Sequence, residues 1–177
     1  MRRLVIVSGP PGAGKSTLAG PLAADLGLPL LAKDAIKESL FDALGHVDDD
    51  PLASSRRLGG AAMELLWRLA AECPAVVIEA NFRTQSAFER ARVLDLCERP
   101  VEVHCRVPAP LAAQRFTHRA DGDAYHEVHV ARSMPLDFFE QFTEPFGIGT
   151  VIEVDTTSPV DVFAVAAGVR DALRTSR

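Results

Sequence analysis

The chain has 177 residues, 47% of them hydrophobic and 24% charged, the balance expected of one globular domain spanning residues 1–177. A formal charge of −5 gives no global attraction to nucleic acid or anionic membrane. No apolar run approaches the roughly 20 residues that span a bilayer, and the apolar stretch Leu4–Val7 is too short for a secretory leader, so a cytoplasmic protein is expected. Cys73, Cys97 and Cys105 lack CxxC spacing and are odd in number, which points to free, mostly buried thiols.

In chain order, residues 3–8 (RLVIVS) form a short apolar run that ends at Gly9 and predicts a buried strand. Residues 15–26 place Leu18, Leu22 and Leu26 at helical spacing and stop at Gly27. Residues 28–32 predict a second strand, 34–44 a helix closed by Gly45, 46–55 a polar loop and 57–72 a helix ending before Pro74. A third strand is expected over 75–80, then a helix N-capped by Thr84 and running to about Cys97. Residues 101–107 predict a fourth strand, 108–119 a helix, 120–129 a polar loop, 135–145 a helix and 150–155 a fifth strand. Ser158-Pro159 reads as the cap and first-turn proline of a final helix. Strands separated by helices require parallel pairing, hence a three-layer α/β domain with its ligands beyond the carboxyl ends of the strands.

At that edge, Gly9, Gly14, Lys15 and Ser16 complete the pattern G-x-x-x-x-G-K-[ST] between a strand and a helix. Phosphate donors are expected from Gly12, Ala13, Gly14, Lys15, Ser16 and Thr17, where the loop becomes a helix N-terminus. Pro10 and Pro11 precede that stretch, so the N–H groups they lack are not needed there. Lys15, expected to be exposed, supplies a point charge to the β- and γ-phosphates of a nucleoside triphosphate, and the Ser16 hydroxyl is a ligand for Mg²⁺. The chain holds 16 arginines but only three lysines, at positions 15, 33 and 37, so each lysine invites a specific explanation.

With these residues the sequence resembles the P-loop kinase-like family of small phosphotransferases, the group of polynucleotide kinase domains, chloramphenicol phosphotransferase and zeta toxins. "GPPGAGKST" carries most of the likeness. "AKDAIKE", "VVIEANF" and an arginine-bearing segment around 115–129 add weaker matches. The resemblance implies a five-stranded parallel sheet in the order 2-3-1-4-5, a short helical lid over about 115–134, and ATP with Mg²⁺ as cofactors. It also implies that the adenine base packs near residues 155–159, which makes Thr157 a nucleotide contact.

Asp34 ends the second strand, where a carboxylate can deprotonate a hydroxyl acceptor; it can equally N-cap the helix that follows. Lys33 and Lys37 flank it and either hold an anionic acceptor or stand in solvent. Glu79 ends the third strand, the place of an acid that binds Mg²⁺ through water. Asn81 and Arg83 follow as candidate acceptor contacts. Arg115 and Arg119, four apart on one helix, are placed to reach the transferring phosphoryl group when a lid closes. His126 and His129 lack a third ligand nearby and read as lid or acceptor contacts rather than a metal site.

The function expected from this pattern is transfer of the ATP γ-phosphate to a hydroxyl of a small-molecule acceptor, by a monomer or homodimer without nucleic-acid or membrane partners. A polynucleotide 5′-hydroxyl kinase uses the same chemistry but needs a basic groove, and the chain has no Lys/Arg run. A non-kinase ATPase or nucleotide switch is the third reading. A guanine-reading N-K-x-D is absent, and only Glu79 stands where an AAA-type motor carries an acidic pair.

Overall fold

Apolar side chains on both faces of the central strands decide the architecture, because such strands can be covered only by helices on either side. The computed structural model describes residues 2–122 and 126–175. Its elements are β1 (Arg3–Ser8), α1 (Lys15–Leu26), β2 (Leu30–Ala32), α2 (Lys33–Leu44), α3 (Pro51–Glu72) and β3 (Ala75–Glu79). There follow α4 (Ala87–Leu96), β4 (Val101–Arg106), α5 (Ala109–Ala120), α6 (Leu136–Glu140), β5 (Thr150–Asp155) and α7 (Val162–Thr175). All strand pairs are parallel, in the order β2-β3-β1-β4-β5. Val5, Val7, Val101 and Val103 face the layer of α1, α5 and α7; Leu4, Ile6, Val76 and Ile78 face α3 and α4. Among the described residues no helix is long and apolar enough to cross a membrane.

Several boundaries differ from expectation, and three of the differences have a visible cause. The polar segment 46–55 is not all loop: α3 starts at Pro51, with Asp50 as N-cap accepting from the Leu52 and Ala53 N–H groups. Proline in the first turn fits there because its missing N–H has no helical partner to lose. Ser86, not Thr84, caps α4, because the Thr84 hydroxyl donates instead to the Glu144 carbonyl at 2.7 Å. The last helix begins at Val162 behind Asp161, whose carboxylate accepts from Ala164 N–H, so Ser158-Pro159 lies in the preceding loop. The helix expected over 135–145 is only the turn-and-a-half of α6.

One buried polar network underlies the site. The Ser8 hydroxyl, at the end of β1, lies 2.6 Å from Glu102 Oε1 and 2.8 Å from His104 Nδ1, both on β4. Glu102 also accepts from the Phe146 and Gly147 N–H groups, and His104 Nε2 donates to the Thr143 carbonyl. All three side chains are buried, so full hydrogen bonding is what makes their burial tolerable. The network ties the strand that feeds the phosphate loop to the segment 143–147.

Candidate active site

The loop between β1 and α1 is shaped by three glycines with positive φ: Gly9 at 128°, Gly12 at 79° and Gly14 at 77°. A Cβ on Gly12 would stand 2.2 Å from the Ala112 carbonyl oxygen of α5, so the glycine lets the loop rest directly on the backbone of that helix. Gly12→Ala is therefore expected to lower stability by about 2 kcal/mol or more, read as a shifted urea midpoint. An unchanged midpoint would mean that the loop does not press on α5.

Gly14 is the N-cap of α1 in the left-handed region and provides no side-chain cap. The first-turn N–H groups of Lys15, Ser16 and Thr17 have no intrahelical acceptor and form the positive end of the helix. A Cβ on Gly14 would meet no heavy atom within 4 Å. This open, donor-rich hollow fits a phosphate group. The Ala13 N–H, expected among the phosphate donors, is bonded here to the Pro10 carbonyl at 3.1 Å. Pro10 therefore serves through its oxygen, closing the turn at Ala13 and accepting from Lys15 Nζ at 2.8 Å.

Lys15 is buried rather than exposed, because its ammonium lies against Pro10 and Asn81 Oδ1, the latter at 2.6 Å. Burial pulls that ammonium below its ordinary pKa, opposed by the charges of Glu79 and Asp34. The Ser16 hydroxyl donates to Glu79 Oε2 at 3.2 Å. Burial pushes the Glu79 carboxyl up, and the Lys15 charge and the Ser16 hydroxyl pull the other way. A hydroxyl and a carboxylate beside a phosphate hollow are hard oxygen donors, the set that suits Mg²⁺.

Asp34 opens onto the same cleft. Its carboxylate pairs with Lys33 Nζ at 2.8 Å and remains about one-third exposed. Burial would raise its pKa, but Lys33, with help from His129 and Lys15, outweighs it and holds the carboxyl below its ordinary value. Arg115 and Arg119 of α5 close the far side, so Gly12, Lys15, Asp34, Glu79 and both arginines line one cleft. Arg115 also donates to the carbonyls of Thr156 and Thr157, at 2.8 and 3.1 Å. Thr157 lines a neighbouring cavity of about 390 Å³ that Pro10 and Pro108 also border.

A second cavity of about 290 Å³ adjoins the cleft, sharing Ser16, Asp34, Glu79 and Arg119 with it and walled also by Glu38, His126 and His129. His129 Nε2 donates to Glu38 Oε1 at 2.8 Å. Burial lowers the His129 pKa, opposed by Glu38, so the ring is neutral near pH 7. His126 Nδ1 accepts from Val128 N–H, which leaves Nε2 to donate to Asp42 at 3.1 Å.

The family model for an AAA domain matches residues 4–142. The chain belongs to this P-loop kinase-like family. A candidate kinase from Chloroflexus aurantiacus J-10-fl is 31% identical and superposes with a TM-score of 0.82 over 97% of this chain and 98% of that one. A sugar kinase from Janibacter sp. HTCC2649 is 16% identical, TM-score 0.63, covering 99% and 98%. A gluconokinase from Sinorhizobium meliloti 1021 is 19% identical, TM-score 0.55, covering 99% and 94%. At such identities the latter two show the fold alone. No curated protein matches the sequence.

In this P-loop kinase-like chain several expected acceptor contacts are placed elsewhere. Asn81 lines the phosphate cleft, where it holds Lys15. The Arg83 side chain is exposed outside both cavities, with its backbone N–H bonded to Glu89. Lys37 is buried between α2 and α3, donating to the Ser55 hydroxyl and the Val128 carbonyl, and its pKa is pulled down to about 8 by burial. Part of the expected lid is anchored too: Val128 is buried with Phe41 and Leu58, and His126 and His129 are tied to α2. Residues 123–125, within the lid expected over about 115–134, lie outside the described residues. Among those described, no group of three His, Cys, Asp or Glu is arranged as a metal cluster. Glu38 was not singled out in the sequence; its only signal is its place one helical turn after Asp34.

Proposed function

We infer that the chain transfers the γ-phosphate of ATP to a hydroxyl group of a small molecule. The observation that supports this most is that two adjoining cavities share Ser16, Asp34, Glu79 and Arg119 as walls, one holding the phosphate loop and the other opening beyond Asp34 as room for a second substrate. The first turn of α1 and Lys15 bind the phosphates, and Lys15 exchanges its Pro10 and Asn81 contacts for phosphate oxygens. Ser16, and Glu79 through water, would hold Mg²⁺, which would neutralise charge on the triphosphate. Asp34 accepts the proton of the attacking hydroxyl. Arg115 and Arg119 face the oxygens on which charge builds up, and α5 excludes water from them.

The test is ADP formation from MgATP with panels of polyols, amino alcohols, nucleosides and oligonucleotides. A 5′-hydroxyl oligonucleotide should be no better an acceptor than its mononucleoside, because the second cavity is small and carries acidic walls. A strong, salt-sensitive preference for the oligomer would show instead that a nucleic-acid end is the substrate.

A further inference from the structure

Resting on the kinase reading, we propose that the acceptor is a neutral or cationic compound with a second hydroxyl or an ammonium group near the reacting hydroxyl, and that Glu38 binds that second group. Asp34 and Glu38 are four residues apart in α2 and line the same cavity. Side chains at this spacing rise from one helix face roughly 5–6 Å apart, close enough for two carboxylates to engage neighbouring groups of one polyol. Asp34 takes the reacting hydroxyl; Glu38 takes the next.

Glu38 is built for this. His129 donates to its Oε1 at 2.8 Å and so fixes the carboxylate against the cavity wall. A carboxylate offers about four acceptor positions, and this hydrogen bond uses one. His129 is itself fixed by its segment, since Val128 is buried and its carbonyl accepts from both Lys37 and Ser55.

The charge of the walls sets the acceptor's sign. Asp34, Glu38 and Glu79 line the cavity, against Arg119 as the one Lys or Arg among the described lining residues. Arg119 also borders the phosphate cleft, where a triphosphate claims it. Lys33 is paired with Asp34, and Lys37 is turned toward Ser55 and Val128. An acceptor carboxylate would therefore lie among like charges, whereas a hydroxyl or ammonium would find acceptors. The volume, about 290 Å³, lies just below the roughly 300–1,000 Å³ typical of ligand pockets. It suits a molecule of monosaccharide or aminocyclitol size.

The experiment measures initial ADP formation by the full chain at saturating MgATP with three sets of acceptors. The neutral set is glucose, ribitol and inositol; the cationic set is glucosamine and 2-deoxystreptamine; the acidic set is gluconate, shikimate and glycerate. At least one neutral or cationic acceptor should exceed every acid about tenfold or more in kcat/KM. With that acceptor, Glu38→Gln should raise the acceptor KM about tenfold while the KM for ATP stays within twofold. Preference for an acid, no neutral or cationic acceptor raising ADP formation above the acceptor-free rate, or an unchanged acceptor KM in Glu38→Gln would each overturn the proposal. Efficient transfer to an acid would do so while leaving the kinase reading intact. Failure to bind ATP, or release of phosphate to water alone, would overturn the kinase reading itself.

Discussion

Asp34→Asn is expected to lower turnover by roughly a hundredfold or more, the usual contribution of a positioned general base. Nucleotide affinity should change little, because Asp34 is bonded to Lys33 rather than to the phosphate loop. The substitution keeps the size of the side chain, and the N-cap role that the sequence also allowed is not the one seen: Ala32 is the N-cap of α2, without a side-chain bond, and Asp34 lies in the first turn. A purely structural residue would therefore leave turnover nearly intact. Steady-state kinetics with a nucleotide-binding titration separates the two outcomes. The pH profile carries a second signature. The active form is the carboxylate, and Lys33 holds its pKa below the ordinary 3.8. The base is therefore ionised throughout the neutral range, and its acid limb in kcat/KM lies below that value. Lys33→Ala removes the lowering interaction and leaves burial, which acts upward, so the limb should move to higher pH. A limb that stays put would mean that another group controls it.

Lys15→Ala should weaken ATP binding by about 2–3 kcal/mol, roughly 30- to 150-fold, the worth of a hydrogen bond between charged groups. Turnover should fall by about a hundredfold or more, because charge growing on the transferring group loses its closest cation. The chain should remain folded. Lys15 is buried, but its ammonium is hydrogen-bonded to polar atoms of Pro10 and Asn81 beside the cleft that it lines, and water from the cleft can take its place on them. Isothermal titration and a thermal melt check this together. Unchanged ATP affinity in a folded variant would remove the phosphate loop from the account.

What the sequence could and could not reveal follows from the range of each interaction. The phosphate loop, the alternation of strands with helices and the place of Asp34 were legible because each depends on neighbours in the chain: an apolar run, a glycine, a lysine at a fixed step. The strand order β2-β3-β1-β4-β5 joins segments far apart in the chain and was implied only by the family resemblance. Strand β1, helix α1 and the glycine stops at Gly27 and Gly45 fall where periodicity puts them. The start of α3 was missed because Asp48, Asp49 and Asp50 look like solvated loop, although Asp50-Pro51 is a cap followed by a first-turn proline. Thr84 and Ser86 are equally good caps by composition; a bond across 60 residues to Glu144 decides between them. The wall of the second cavity was hidden for the same reason. Glu38 and His129 meet across 91 residues, as do Lys37 and the Val128 carbonyl, and nothing local marks either pair. Lys37 shows the cost of local reasoning. As a rare lysine beside Asp34 it looked like an acceptor contact, yet its ammonium is spent holding the segment that carries the two histidines.

The most direct test of the central claim is the fate of the γ-phosphate. The full chain is incubated with Mg²⁺, γ-labelled ATP and a polyhydroxy acceptor, and the products are followed by phosphorus NMR. Loss of the ATP signals should be matched one-for-one by ADP and a phosphomonoester of the acceptor, and Asp34→Asn should slow both together. Inorganic phosphate as the sole product, formed at the same rate with or without an acceptor and in Asp34→Asn, would contradict the account and show a nucleotide hydrolase.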